Sequence, residues 1–314
     1  MTAPRREPVP TFPSPAPLGR TAMSFGAIGA GRVGAVLIAA LRAAGHTIAA
    51  VAGESDASHT RVETLLPGVP LRKPTAVARG CDILLLTVPD DALDNVVTML
   101  VASGAIRPGQ VVVHTSGRHG LDVLAPATRI GARGIAMHPA MTFTGTDVDL
   151  DRLAGCVFGV TAAETERALA QSLVASLGGL VVCVAEEHRA LYHAALAHGA
   201  NHLVTLVTQA MDMLRQVGSA DPAATLRPLL EAALDNALVY GDAALTGPIV
   251  RGDVETVRAH MRTMADGRVT RSTLTSYVAM GRATAAHAVA DGRLEPRRAA
   301  AVVEALNDSL VGLV

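Results

Sequence analysis

The chain is short of residues on which several large classes of protein depend. Its 314 residues include no tryptophan, three tyrosines and four phenylalanines. A nucleic-acid surface stacks bases on aromatic rings and gathers basic charge, yet here the net charge is −1. Nucleic acid is therefore not an expected partner. Cysteine is scarce as well: Cys81, Cys156 and Cys183 are odd in number, far apart and form no CxxC pair, which argues against a disulfide framework or a zinc knuckle. They read as buried thiols of a protein in the reducing cytoplasm. No apolar run reaches the roughly 18 residues that a membrane-spanning helix needs, so no membrane partner is expected. Lysine is almost missing. Of 27 basic residues only Lys73 is lysine, so the second half of the chain has no lysine to offer as a catalyst.

Apolar residues, by contrast, make up half the chain, enough to fill the cores of two domains at this length. Residues 1–22 stand apart, with six prolines and no hydrophobic segment. They read as a flexible Pro-rich tail and not as a secretion signal.

After that stretch, the apolar run Ser24-Phe25-Gly26-Ala27-Ile28 leads into Gly29-Ala30-Gly31-Arg32-Val33-Gly34 and then an unbroken helical pattern to Ala44. Strand, GxGxxG and helix in that order make a dinucleotide site. The glycines permit a tight turn and close approach of a pyrophosphate, and the free N–H groups of the helix start favour its charge. Gly29, Ala30, Gly31, Arg32, Val33 and Gly34 are the cofactor-binding candidates. Gly45 ends the helix, and His46 to Ala52 forms the next strand. Its end, Gly53-Glu54-Ser55, reads two ways. Glu54 would hold ribose hydroxyls and select NAD, whereas Gly53 and Ser55 with a cation such as Arg61 would accommodate a 2′-phosphate. NADP is the expected cofactor, with NAD as the open alternative.

Further apolar strands run from Asp82 to Val88, from Val111 into the loop at Ser116-Gly117, and from Gly134 to Met137, closing on His138-Pro139. In an open parallel sheet, ligands sit at the carboxyl ends of the strands. Val88, Pro89 and Ser116 therefore join the cofactor candidates, and Ser116 and His138 join the substrate candidates. Pro89-Asp90-Asp91 has the composition of a helix start. Cys156–Val160 and Leu180–Val184 extend the sheet, separated by a helix from Ala162 to Leu177. The expected fold is α/β: a Rossmann-type doubly wound, mostly parallel sheet over residues 23–186, followed by an all-helical domain over 187–314 that binds substrate and dimerises.

The densest polar cluster is His188 to His202, four histidines and an asparagine in an otherwise apolar helix. One reading makes His193 the acid that protonates a substrate oxygen and Asn201 the group that orients it. The other leaves both as partners of neighbouring backbone or of a dimer mate. At 100° per residue, His193 and Asn201 lie about 80° apart. His198 and His202 have the spacing of a metal pair but lack a third ligand, and no metal is expected. A second cluster, Thr246-Gly247-Pro248-Ile249-Val250-Arg251-Gly252-Asp253, interrupts two helices. Thr246 and Arg251 are substrate candidates, the arginine as a bidentate carboxylate clamp; equally, Arg251 and Asp253 pair with each other and cap the next helix.

These stretches together resemble a two-domain family of oxidoreductases in which a Rossmann-like domain precedes a helical domain of unknown function of the DUF 2520 type. The motifs that carry it are GAGRVG, His114-Thr115-Ser116-Gly117, His138-Pro139, the helix from Tyr192-His193 to Asn201, and Leu245-Thr246-Gly247-Pro248 with Arg251-Gly252-Asp253. The family is similar to ketopantoate reductase, pyrroline-carboxylate reductase and the beta-hydroxyacid dehydrogenases. The resemblance implies reduction of a small 2-oxo acid or related carbonyl, ketopantoate being the substrate for some members; the homodimer is expected from the long helical second domain itself. The beta-hydroxyacid dehydrogenases place a lysine and an asparagine one turn apart on the first helix of their second domain. Here that helix offers His193 and Asn201. Imine reduction and a catalytically silent nucleotide-binding scaffold are the alternatives.

Overall fold

The computed structural model describes residues 23–308; the stretch read as a flexible tail lies outside them. The chain divides into two compact units, Met1–Ala197 and His198–Val314. The division falls within the helical run whose start the sequence places at Glu187.

The first unit is built from β1 (Ser24–Ile28), α1 (Arg32–Ala43), β2 (Thr47–Ala52), α2 (Asp56–Leu65), α3 (Pro74–Arg79), β3 (Ile83–Leu86), α4 (Leu93–Ala102), β4 (Val111–His114), α5 (Ala125–Arg129), β5 (Arg133–Pro139), α6 (Val148–Arg152), β6 (Val157–Ala162), α7 (Arg167–Ser176), β7 (Leu180–Cys183) and α8 (Arg189–Leu196). The strands form one sheet in the order β2-β1-β3-β4-β5-β6-β7. All neighbours are parallel except β5 and β6. This is the Rossmann-type architecture expected. Chain order reverses between β1 and β3, so the crevice of the fold opens beyond Ile28 and Leu86.

The strands read as continuous apolar runs because both faces of the sheet are covered. Phe25, Ala27, Ile83, Leu85, Val111 and Val113 pack on one side with α1, α2 and α7. Leu84, Leu86 and Val112 pack on the other with α3, α4 and α5. Burying each such leucine contributes about 1.5–3 kcal/mol. Gly45, at φ 92°, takes the left-handed turn after α1 as expected. The helix expected at Pro89 starts later. Residues 89–92 close a turn through Ala92 N–H to the Pro89 carbonyl, 3.0 Å, and α4 begins at Leu93. Likewise β6 runs on to Ala162, and a short 3-10 turn precedes α7.

The second unit is helical: α9 (His202–Gln216), α10 (Pro222–Tyr240), α11 (Val254–Thr263), α12 (Arg271–Ala290) and α13 (Pro296–Asp308). Val257, Met261, Leu274, Val278, Val302 and Leu306 form its core. Gly281 lets α12 approach α13, since a Cβ there would stand 2.9 Å from Leu306 Cδ1. Among the described residues, no helix is long and apolar enough to cross a membrane.

Candidate functional site

The glycine turn after β1 is shaped by two different demands. Gly29 adopts φ 102°, and a Cβ on it would lie 2.7 Å from the Thr87 carbonyl carbon. A Cβ on Gly34 would lie 2.1 Å from the Gly29 oxygen, which also accepts the Thr87 hydroxyl at 2.5 Å. These two glycines are required by the packing of α1 on the ends of β1 and β3. Gly31 is different. It is extended, at φ −73° and ψ −164°, and a Cβ there would meet nothing within 4 Å. It precedes α1 with no side-chain cap, and the first turn carries no acid. The first-turn amides of α1 thus have no capping side chain, and the space beside Gly31 is open, which fits a pyrophosphate.

That space belongs to a cleft of about 820 Å³, lined by Gly29, Ala30 and Gly31, by Gly53-Glu54-Ser55 at the end of β2, by Leu71-Arg72-Lys73, and by Val88 and Pro89. Ser55 also caps α2, accepting Ser58 N–H at 3.2 Å. His59 Nε2 lies 3.0 Å from the Gly53 carbonyl. A second, smaller cleft is lined by Gly31, Arg32, Val33, Val88, Pro89, Asp90 and Ser116. Of the cofactor candidates, only Gly34 lines neither. Arg61, offered as a partner for a 2′-phosphate, does not line the larger cleft; its guanidinium donates to Ala57 O at 3.1 Å.

Beside Ser116 the strand ends gather a polar cluster. His138 and Gly159 face each other across the antiparallel pair β5–β6. Tyr192 lies on Gly159, where a Cβ would meet its ring at 2.5 Å, and its hydroxyl meets His138 Nδ1 at 3.1 Å. The His138 and His193 rings stand edge to face with centroids 5.8 Å apart. Gly117 is in contact with both: a Cβ on it would stand 2.5 Å from His193 Cδ2 and 3.1 Å from His138 Cδ2. Burial, reinforced by the Arg189 and His193 charges, pulls His138 down to about 4, so it is neutral at physiological pH. Burial likewise raises the Tyr192 hydroxyl, with Arg189 opposing the shift.

The loop that carries Ser116 and Gly117 is fastened from three sides. His114 is fully buried; its Nδ1 accepts Ser116 N–H at 3.2 Å, which assigns the proton to Nε2 and a 2.7 Å bond to the Gly120 carbonyl. Burial lowers this histidine to about 4. Arg189 is 1% exposed and donates to the carbonyls of His119, Gly159 and Ser116. Glu186 accepts Leu121 N–H at 2.7 Å. The sequence puts His138 and Ser116 at strand ends and His193 on the first helix of the helical domain; the structure brings His193 against His138 and Gly117 within the first unit, beside Tyr192, Arg189 and Glu186, to which sequence reasoning assigns no role. An arginine among alanines and leucines at the start of α8 was the available signal.

The remaining candidates belong to the second unit. Asn201 ends a π-helical turn over Ala197–Asn201, so the even 100° step does not carry from His193 to it. Thr246 and Arg251 are exposed. Asp253 caps α11, accepting Thr256 N–H at 3.1 Å, and forms no ion pair with Arg251 among the described residues. His198 and His202 meet through their Nδ1 atoms at 2.9 Å on an exposed face. Of the cysteines read as buried, Cys81 and Cys156 are, whereas Cys183 is exposed on the outer strand β7.

A Rossmann-like domain matches residues 11–139, and a domain of unknown function, DUF2520, matches residues 156–284. No curated protein matches the chain. Among solved structures, an inferred NADP oxidoreductase from Bacteroides fragilis is similar at a TM-score of 0.71 and 21% identity, with 83% of this chain and 97% of that one covered. An imine reductase from Myxococcus stipitatus in complex with NADP+ is similar at 0.62 and 17%, covering 86% and 95%. The pyrroline carboxylate reductase of Plasmodium falciparum with NADP bound is similar at 0.54 and 12%, covering 93% and 99%. At these identities the likeness is one of fold.

Proposed function

The chain belongs to the two-domain family that joins a Rossmann-like domain to a DUF2520 domain, and from that premise we propose that it is an NAD(P)-dependent oxidoreductase reducing a small 2-oxo acid or related carbonyl, in the manner of a ketopantoate reductase. The observation that carries this reading is the opening above Gly31, which is lined past Val88 and Pro89 as far as Ser116, the neighbour of the Gly117 that touches His138 and His193. When bound, the nicotinamide supplies hydride. Gly31 and Arg32 hold the pyrophosphate, and Val88, Pro89 and Ser116 form the wall for the nicotinamide ring. His193, resting on Gly117, delivers the proton that a reduced carbonyl oxygen needs. Tyr192 holds neutral His138 beside it. A cytoplasmic location accords with three free cysteines.

The test is oxidation of NADPH and NADH, followed by absorbance, with ketopantoate and a panel of 2-oxo acids. No turnover with any of them at high enzyme concentration removes the substrate class. A second reading, imine reduction, is favoured by the absence of lysine after Lys73 and the neutrality of His138. An iminium nitrogen arrives already protonated, so that reaction asks for no strong acid at the strand ends. Turnover of cyclic imines in the same assay, without turnover of 2-oxo acids, selects it. Dinucleotide binding with no turnover of either class selects a silent scaffold.

We also propose a homodimer. Its support is the exposed apolar surface of the second unit, where Leu229, Leu234 and Leu238 of α10 are 66%, 50% and 78% exposed.

A further inference from the structure

The larger cleft has one wall whose chemistry the glycine turn does not explain. After α2 the chain returns alongside β2: Val51 N–H donates to the Pro70 carbonyl at 3.0 Å, Arg72 N–H donates to the Val51 carbonyl at 2.9 Å, and Leu71 pairs with Val51 in parallel. This short addition outside β2 brings Arg72 and Lys73 to the carboxyl edge of the sheet, where β2 itself gives way to Gly53-Glu54-Ser55. Arg72, Lys73, Glu54 and Ser55 all line the same cleft as Gly31.

Neither cation has a structural task there. Both are exposed, and among the described residues neither is in an ion pair. Arg72 donates only to its neighbour Leu71 O, at 3.3 Å. Lys73 is the residue before α3 and makes no side-chain cap bond, because an ammonium has no acceptor to give the first-turn amides. Yet it is the one lysine of the chain. Two uncompensated cations beside the strand end where the proposed dinucleotide would place its ribose match a dianion on that ribose.

We propose that Arg72 and Lys73 form the subsite that reads the 2′-phosphate of the dinucleotide, so that selection of NADP(H) comes from the segment added outside β2 and not from the turn that follows it. The inference rests on the dinucleotide reading above. Arg72 forks onto the phosphate oxygens while Lys73 adds a mobile point charge. Glu54, which lines the same cleft, is left to the remaining ribose hydroxyl.

Calorimetric titration of the full chain with adenosine 2′,5′-bisphosphate and with adenosine 5′-monophosphate isolates the one phosphate in question, with NADPH and NADH as a second pair. The expected result is on the order of tenfold or more tighter binding of the bisphosphate, shrinking with added salt. In the double variant R72M/K73M the two nucleotides should bind alike, with the monophosphate affinity of the wild type retained, which also shows that the variant is folded. Equal binding of both nucleotides by the wild type, or discrimination that survives in the double variant, overturns the subsite while the dinucleotide reading stands. Failure of the wild type to bind any of the four ligands overturns both.

Discussion

The imidazole of His193 rests on the backbone of Gly117, so closely that a Cβ at position 117 would lie 2.5 Å from Cδ2 of the ring. The loop after β4 and the helix α8 therefore set each other's position at the point where the proton donor is proposed. Gly117→Ala should push the ring away and lower turnover about 100-fold, the scale of a 1 Å misplacement at a reacting centre. Dinucleotide affinity should hold, since Gly117 lines neither cleft. A variant with full turnover would remove His193 from the chemistry.

The glycines of the turn should separate by phenotype. Gly34→Ala drives a methyl into the Gly29 carbonyl and should lower the melting temperature clearly, by several degrees. Gly31→Val should leave the melting temperature near that of the wild type, because its backbone is extended and its surroundings are open. It should instead weaken NADPH binding about tenfold or more by filling the space over the helix start. Thermal melts paired with binding titrations check both, and a Gly31→Val protein that binds NADPH normally would falsify the placement of the pyrophosphate.

His114 and His138 make stability depend on pH in a definite direction. In the fold both are neutral down to about 4, whereas in the unfolded chain each takes up a proton near about pH 6.5. Above that value neither state binds the proton and stability is full. Between about 6.5 and about 4 the unfolded state is favoured by about 1.4 kcal/mol per pH unit for each ring. Below about 4 the loss levels off. Urea denaturation at about pH 7 and about pH 5 should show a smaller drop for His138→Gln than for the wild type. Equal drops would show that His138 titrates normally.

Arg189 should be among the costliest single positions of the first unit. Removing it takes the Arg189 donor from three carbonyls, two buried and one half-buried, at about 1–3 kcal/mol for each buried group left unpaired. Arg189→Met should therefore destabilise by on the order of 3–5 kcal/mol. Arg189→Lys should recover only part of that, because an ammonium cannot reproduce the planar fork. Chemical denaturation measures both, and full rescue by lysine would reduce the role to charge alone.

The proposed homodimer can be broken on α10. Leu234 and Leu238 are one helical turn apart and both exposed. Replacing both by glutamate should yield a monomer in sedimentation with helix content unchanged. A wild-type chain that sediments as a monomer at high concentration would exclude the dimer.

Much of the first unit was legible because its information is local. Apolar runs such as Ile83–Leu86, glycines at Gly29 to Gly34, and Gly45 after α1 each state their structure within a few residues. The antiparallel turn of β6 was not, because a strand's direction is fixed by partners far along the chain and not by its own composition. The same holds for the site. His138 and Ser116 could be read from strand ends, but the bond between Tyr192 and His138 spans 54 residues and depends on Gly159 lying under the ring. Arg189 reaches back 73 residues to Ser116. The π turn at Ala197–Asn201 is likewise invisible to a counting rule that assumes a constant step.

The solitary lysine has a practical consequence outside nucleotide recognition. An amine-selective acylating reagent meets a single side-chain amine in this sequence, in the lining of the larger cleft. Apart from the α-amino terminus, covalent labelling would thus be confined to one address. The intact mass of the protein would then report occupancy of the cleft directly, as acylation retarded by whatever fills it.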